Sequence, residues 1–295
     1  MALSLEKRLK QLAGQEGIDV IKFTDAAPFQ NYALEESSRR DPRIALSDAK
    51  SVIICGIYIG GFQVPDPQDR SIGRFSRLIL SSFYFDVVTP LTPLISELKS
   101  EGYAAIPCDG YQDRSVLPLK LAAVRAGMGW QGKNSLLITR NYGSFMALGG
   151  IITNAPLERD AGEKEKDHCG KCEACKKACP MGALHEPYRL NVDRCLSYLL
   201  ESQGELSQEV RRKMGNMVLE CDICQSVCPW NKKQKAKFTK ESALGKLDLN
   251  EFFKLSRLVQ LSEEEYRQSL GYRLTGVDYN TFHRNVIYAM RNAPS

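Results

Sequence analysis

The sequence predicts a mixed α/β (α+β) fold with three parts: a first domain of strands and helices over residues 1–157, a cysteine-rich domain over 158–240, and short helices over 241–295. Three observations carry that division. Strand-length apolar runs alternate with segments of helical spacing through roughly the first 155 residues. A charged stretch, Glu158 to Asp167, then breaks the pattern. Behind it, eight of the chain's ten cysteines lie between Cys169 and Cys228.

The elements follow in order. Leu3, Leu5, Leu9 and Leu12 recur near helical spacing and stop at Gly14 and Gly17, which marks an amphipathic helix. Asp19 to Phe23 and Ser51 to Ile59 read as strands. The second holds the longest apolar run, Val52 to Ile59, well short of the ~18 residues that span a membrane. Phe83 to Lys99 reads as a helix whose start is blurred by Pro90 and Pro93. Tyr103 to Pro107 is a short strand, and Ser115 to Ala126 a helix ended by Gly127. Ser135 to Thr139 and Phe145 to Thr153 read as strands joined at Asn141-Tyr142-Gly143. Beyond Lys240, helices are expected over Leu249 to Leu258, Ser262 to Leu270 and Thr281 to Asn292. Cys55, in its apolar run, is a small buried hydrophobe, and Trp130 is read as packing the core, with stacking on a flat ligand as the alternative.

At 295 residues, with 43% hydrophobic and 25% charged residues, the composition is that of an ordinary globular protein of two domains. A net charge of +5 does not by itself establish a nucleic-acid partner. Its placement is more suggestive, because Lys232, Lys233, Lys235, Lys237 and Lys240 follow the last cysteine closely. Arg211, Arg212 and Lys213 form a second basic knot. Read from composition alone, both are solvated surface. The start Met1-Ala2-Leu3-Ser4-Leu5-Glu6-Lys7 lacks the basic and apolar regions of a signal peptide. Free thiols point the same way, to a cytoplasmic, membrane-free protein with no requirement beyond a monomer.

The cysteines carry the most chemistry. The first run reads Cys169-x2-Cys172-x2-Cys175-x3-Cys179-Pro180, and the second Cys221-x2-Cys224-x3-Cys228-Pro229, with Cys195 alone between them. In the two-cluster pattern the last cysteine of each run ligates the other cluster. One 4Fe–4S cluster then takes Cys169, Cys172, Cys175 and Cys228. The other takes Cys221, Cys224, Cys195 and Cys179. Zinc is the alternative for four-thiolate sets, but zinc sites usually pair two Cys-x2-Cys hooks rather than setting three in series. A chain so equipped moves single electrons.

Two further motifs are decoys. Gly127-Met128-Gly129-Trp130-Gln131-Gly132 matches a dinucleotide fingerprint, and with Lys133-Asn134 it nearly matches a P-loop. Both motifs need a strand before and a helix after, so that helix N–H groups meet phosphate. Here a predicted helix precedes and a predicted strand follows, and Asn134 replaces the magnesium-binding hydroxyl. The glycines still imply a bare loop that something flat or bulky can approach. The three histidines, His168, His185 and His283, form no hydrolytic or HExxH arrangement, and the D-x-H-x-x-G cobalamin motif is absent.

Several stretches together resemble the epoxyqueuosine reductases, cobalamin-dependent iron–sulfur enzymes that modify tRNA. They are Asp41-Pro42-Arg43 with Ala49 to Ile53, Arg125 to Ser135, Leu148 to Ile152, the cysteine frame from Cys169 to Pro229, and Arg284-Asn285. The resemblance implies a nitroreductase-like, corrinoid-binding first domain and a two-cluster ferredoxin-like domain that feeds electrons to cobalt. It implies reduction of the epoxide base in tRNA to queuosine, the last step of queuosine biosynthesis, with an external low-potential electron donor. The family's acidic proton donor falls on Asp113, counted back from Gly127, where it would also meet the cofactor. Its neighbours depart from the family pattern, since Gln112-Asp113-Arg114 replaces Val-Asp-Thr, and Asp109 competes for the role. Lys120 stands where the family usually has Arg, and the D-Y-H segment has no clear counterpart around Phe83-Tyr84-Phe85. Ser135, Thr139, Ser144, Ser197 and Gln225 are the expected partners of corrin amides. Without the D-x-H-x-x-G histidine, cobalamin is expected base-off. Two other readings remain: a different corrinoid reductase of the reductive-dehalogenase kind, and an iron–sulfur electron carrier with a docking domain.

Overall fold

Ser51–Tyr58 (SVIICGIY) carries no charge, and every one of its residues is buried. A strand of that composition must be covered on both faces. The computed structural model describes residues 3–29, 41–83, 86–110, 116–160, 165–233, 247–271 and 276–293. In chain order its strands are β1 (Val20–Asp25), β2 (Ser51–Tyr58), β3 (Arg74–Phe75), β4 (Ala105–Cys108), β5 (Trp130–Gln131), β6 (Leu137–Ile138), β7 (Met146–Thr153) and β8 (Met217–Leu219). The chain divides into two units. The first comprises Met1–Tyr58, Asp86–Gly132 and Leu136–His168; the second comprises Ile59–Phe85, Lys133–Ser135 and Cys169–Ser295.

In the first unit β2 lies inside a four-stranded sheet of order β1-β2-β7-β4. All its pairings are antiparallel, with Phe23 opposite Ile53, Ile53 opposite Ile151, and Ile106 opposite Ile152. The helix Leu119–Arg125 covers one face, where Leu119, Ala122, Ala123 and Val124 pack with Val52, Ile54 and Ile152. On the other, a Cβ at Gly149 would lie 3.1 Å from Leu91 and 3.2 Å from Val87, so glycine lets that layer approach the sheet. Next come the helices Thr92–Ser100 and Leu5–Gln15, joined by Arg8 to Glu97 at 2.6 Å and to Glu101 at 2.5 Å. The expected helix from Phe83 begins only at Thr92, after a 3-10 turn at Thr89–Leu91, because Pro90 and Pro93 cannot donate to a preceding turn. Residues 84 and 85 lie outside the described residues. Cys55 and Trp130 are both buried, as expected.

The second unit gathers residues 59–85, which the sequence reading placed with the first domain. The cause is apolar: Ile72, Phe75, Ile79 and Leu80 share one core with Val218, Leu219, Leu258, Phe282 and Val286. β3 pairs in parallel with β8, and Arg74 N–H donates to Asn216 O at 2.8 Å. The same segment breaks the helix expected over Leu249 to Leu258 into Leu249–Phe252 and Leu255–Leu258. Gly73 N–H donates to Phe253 O, Leu255 N–H donates to Ser71 O, and Ile72 bridges Lys254. Backbone groups spent on that pairing are not available for one continuous helix. The long helix Tyr279–Asn292 completes the core.

Candidate iron–sulfur site

The eight cysteines of the frame sit in turns or on and beside short helices. Cys172 N–H donates to Cys169 O at 2.9 Å, closing the first turn, and the short helix Ala174–Ala178 carries Cys175. Cys179 follows it, and its Sγ accepts Ala183 N–H at 3.3 Å. Cys195 caps the helix Leu196–Glu201, whose Leu196 and Leu200 are anchored in the core. Cys221 comes just after β8, Cys224 lies on the helix Ile223–Ser226, and Cys228 caps Pro229–Lys232. Proline at the first helical position loses nothing, since that N–H has no intrahelical acceptor.

The thiols influence one another across the two runs. Burial comes first in raising Cys175, and the neighbouring charges of Cys228 and Cys172 add to it. Cys228 in turn is raised by burial and then by Cys172. Cys221 is pushed up to about 12 by burial, with Asp222, Cys195 and Cys179 contributing. Cys224 is also raised by burial, and then by Cys221, Asp222, Cys195 and Cys175. The last cysteine of each run thus lies in the company of the other run, and Cys175 and Cys224 mark where the groups meet. Among the described residues, no three metal-ligating side chains converge as they would around a single ion. Thiolates at the corners of a cuboidal cluster stand further apart than those around one zinc. An all-thiol donor set fits four-iron clusters, and loading must displace protons from these raised thiols.

Sequence reasoning missed the groups behind the second run. Glu220 and Asp222 flank Cys221, and both are buried. Ser76 Oγ donates to the Glu220 carboxyl, which burial, and next Glu201, pushes up to about 8. Asp222 accepts Arg77 N–H at 2.7 Å and the Gln225 amide at 2.9 Å, yet burial still raises it. The available signal was the acidic pair around Cys221. Arg284-Asn285, part of the family resemblance, is a clamp: Asn285 donates to Leu200 O at 2.7 Å and Val218 O at 2.8 Å, while Arg284 donates to Ser202 O at 2.8 Å.

The other predicted residues are scattered. Asp113 lies outside the described residues. Asp109 is buried at the end of β4. Thr139 and Ser144 are buried in the first unit, and Thr139 Oγ1 serves its own turn, accepting Tyr142 N–H at 3.0 Å and donating to Gly143 O. Ser135, Ser197 and Gln225 belong to the second unit, with Ser135 in the left-handed region at φ 62°. Uncharged hydroxyls and an amide suit the amide fringe of a corrin. No histidine joins them: His168 meets Glu165 at 3.2 Å and Arg140 at 2.9 Å, His185 sits beside Glu186 at 3.5 Å, and His283 contacts Val259 O at 3.0 Å.

The glycine loop has a different use from the one expected. The helix Leu119–Arg125 precedes it and the β5–β6 hairpin follows, so no helix N-terminus faces a phosphate. A Cβ at Gly129 would lie 2.1 Å from Ile138 O; the close approach is by the chain's own backbone. Of the basic residues, Arg211 pairs with Glu205 at 2.5 Å and Lys213 with Glu209 at 2.8 Å, while Lys233 sits over the Trp230 ring. Lys235, Lys237 and Lys240 lie outside the described residues.

Comparison with known proteins extends this geometry. A 4Fe–4S double cluster binding domain matches residues 168–231. The epoxyqueuosine reductase of Lactococcus garvieae is 33% identical over 98% of this chain and 87% of its own length. Those of Bacillus subtilis and Escherichia coli are 33% and 32% identical over 77% of this chain, and the match spans 64% and 59% of those longer proteins. A crystal structure of epoxyqueuosine reductase with an epoxyqueuosine-modified tRNA-Tyr stem loop superposes with a TM-score of 0.83 at 30% identity, covering 98% of this chain and 81% of that one. The Bacillus subtilis enzyme, solved with its catalytic aspartate loop swung out of the active site, gives 0.80 at 29% identity, with 98% and 81% covered. A catabolic reductive dehalogenase shares the fold at 17% identity and a TM-score of 0.54, covering 97% of this chain and 35% of its own.

Proposed function

This chain belongs to the epoxyqueuosine reductase family, an oxidoreductase family, and on that premise we propose that it reduces epoxyqueuosine to queuosine in tRNA. The observation that carries the reading furthest is the double-cluster domain match over residues 168–231, which spans both cysteine runs. The electrostatic coupling of Cys228 with Cys175 and Cys172, and of Cys179 with Cys221, supports a crossed pairing. Converting an epoxide to an alkene breaks two C–O bonds and releases the oxygen as water. It consumes two electrons and two protons. Paired clusters suit that demand, because each passes one electron at a time from an external low-potential donor.

Cobalamin, when bound, supplies a strongly reducing, nucleophilic metal centre for the epoxide carbon. Ser135, Thr139, Ser144, Ser197 and Gln225 would hold its amide fringe. With the three histidines engaged elsewhere, the chain supports a base-off cofactor. Asp113 would hold the proton for the oxygen that leaves the ring, and Asp109 is its competitor. Such an acid must be protonated beforehand, which an apolar setting favours. Lysines after Cys228 would steady the tRNA phosphates while the modified base reaches the pocket. The protein would act as a monomer in the cytoplasm. Among the described residues no helix is long and apolar enough to cross a membrane.

The test is anaerobic reconstitution with iron, sulfide and cobalamin, followed by mass spectrometry of nucleosides from epoxyqueuosine-bearing tRNA. Conversion to queuosine is expected, and Asp113→Asn should abolish it with iron and corrinoid contents unchanged. Full activity of that variant would move the acid to Asp109. Iron–sulfur absorption without corrinoid uptake would leave an electron carrier. Corrinoid uptake without conversion would leave another corrinoid reductase.

A further inference from the structure

The lysine of the false P-loop has another recipient for its charge. Lys133 Nζ donates to Gly170 O at 2.5 Å and to Cys172 O at 3.1 Å. Both carbonyls belong to the turn that presents Cys169 and Cys172. Gly170 adopts φ +49°, a left-handed conformation that turns the peptide of this loop. The Lys133 carbonyl accepts Tyr188 N–H at 3.2 Å, so its backbone is fixed within the second unit as well. We propose that Lys133 is a positioning residue for the first cluster, holding its ligand loop and raising its reduction potential through the ammonium charge.

The physical argument is short. Reducing a four-iron cluster adds one negative charge, with no bond made or broken. A fixed cation against the peptide of a thiolate ligand stabilises the reduced state more than the oxidised one, which moves the potential upward. The effect bears on one cluster: Lys133 is bonded to the loop of Cys169 and Cys172, whereas the second run has the carboxyls Glu220 and Asp222 around Cys221. Other charges near the first loop are the exposed Lys171, Lys176 and Lys177, of which Lys176 pairs with Glu173 at 3.7 Å. These side chains are solvated, so their influence is weaker than that of a cation hydrogen-bonded to the loop itself. A sequence that looks built to hold phosphate instead holds the backbone of an iron ligand.

The inference rests on Cys169, Cys172, Cys175 and Cys228 sharing one cluster. The experiment is a mediated redox titration, followed by electron paramagnetic resonance, of reconstituted wild-type protein and of Lys133→Gln, Lys133→Met and Lys133→Arg. In the two neutral variants, one of the two midpoints should shift to more negative potential at full iron content, while the other stays. Lys133→Arg should restore it, because the charge and the donors are kept. Unchanged midpoints in a fully loaded neutral variant would overturn the proposal, and so would equal shifts of both. Loss of iron from the neutral variants but not from Lys133→Arg would support the holding of the ligand loop. A wild-type protein lacking two resolvable clusters would instead speak against the ligand reading, independently of Lys133.

Discussion

The two units are ordered by different means. In the first, β2 and its partner β7 are almost wholly buried, and the sheet is covered on both faces by apolar residues. In the second, the stretch from Cys169 to Cys195 has less such support, its buried apolar residues being Met181, Ala183 and Leu184. Its helix Ala174–Ala178 buries no residue, nor does the turn Val192–Arg194, and Tyr188, Leu190 and Val192 are exposed. The apolar core of that unit is built from other segments, chiefly 72–80, 196–219 and 249–289. A loop with so little buried surface does not offset its own chain entropy. Ligation of iron by these thiolates would supply the remaining free energy, as it does in small metal-bound domains. The first unit would therefore owe its order to its apolar core, and the cysteine loops a larger share of theirs to cluster ligation.

Cys195→Ser probes that difference most forcefully. Cys195 joins the loop stretch to a helix anchored by Leu196 and Leu200. Its loss should remove about half the iron, if each cluster takes four thiolates. Amide exchange should then rise around Cys179, Cys221 and Cys224, while protection in β2 and β7 stays unchanged. Iron content equal to wild type would show that Cys195 is no ligand. Loss of protection in the sheet of the first unit would break the comparison itself.

The contrast also explains what could be read beforehand. The cysteine frame was legible because ligand spacing is local and metal chemistry tolerates few substitutes. β2 and β7 were legible because their runs are apolar and uninterrupted. β3 and β8 were not, since strands of two and three residues carry no periodicity. The same tertiary pairing hid the break at Phe253 and carried residues 59–85 into the second unit. Gly129 and Lys133 were noticed for a nucleotide motif, and only their partners reveal their use: Ile138 O for one, a cysteine loop for the other. Glu220 was missed as a functional neighbour because the acidic pair around Cys221 does not show that it is buried or that its partner is Ser76, far away in sequence.

Gly129→Ala tests the first unit in the same terms. The added methyl would collide with the carbonyl of Ile138, a backbone atom of the hairpin that cannot move aside as a side-chain end could. Overpacking of this kind typically costs about 1–3 kcal/mol, and a backbone collision belongs at the upper end. The denaturation midpoint of the first unit should fall accordingly, with cluster iron unaffected. A variant as stable as wild type would mean that the hairpin can shift away from this loop.

The smallest expected effect lies in the scaffold behind the cysteines. Asp278 caps the helix Tyr279–Asn292, accepting Thr281 N–H at 3.0 Å and the Thr281 hydroxyl at 2.8 Å. Burial would raise its pKa, but the backbone and hydroxyl donors of Thr281, with the N–H of Asn280, hold it below the ordinary carboxylate value. Asp278→Ala should cost about 1 kcal/mol, the usual value of a lost N-cap, and Asp278→Asn much less. The sign of the pH dependence follows from the depressed pKa. The contribution is present above the unfolded value of 3.8 and is lost as pH falls through the folded one. The difference in helix-amide protection between wild type and Asp278→Ala should therefore be full at neutral pH and shrink below about pH 4. Iron content should not change, because the helix is held to Leu200 and Val218 through Asn285 as well. A loss of iron on this substitution would mean that the cysteine loops depend on the apolar scaffold more than their own lack of burial implies.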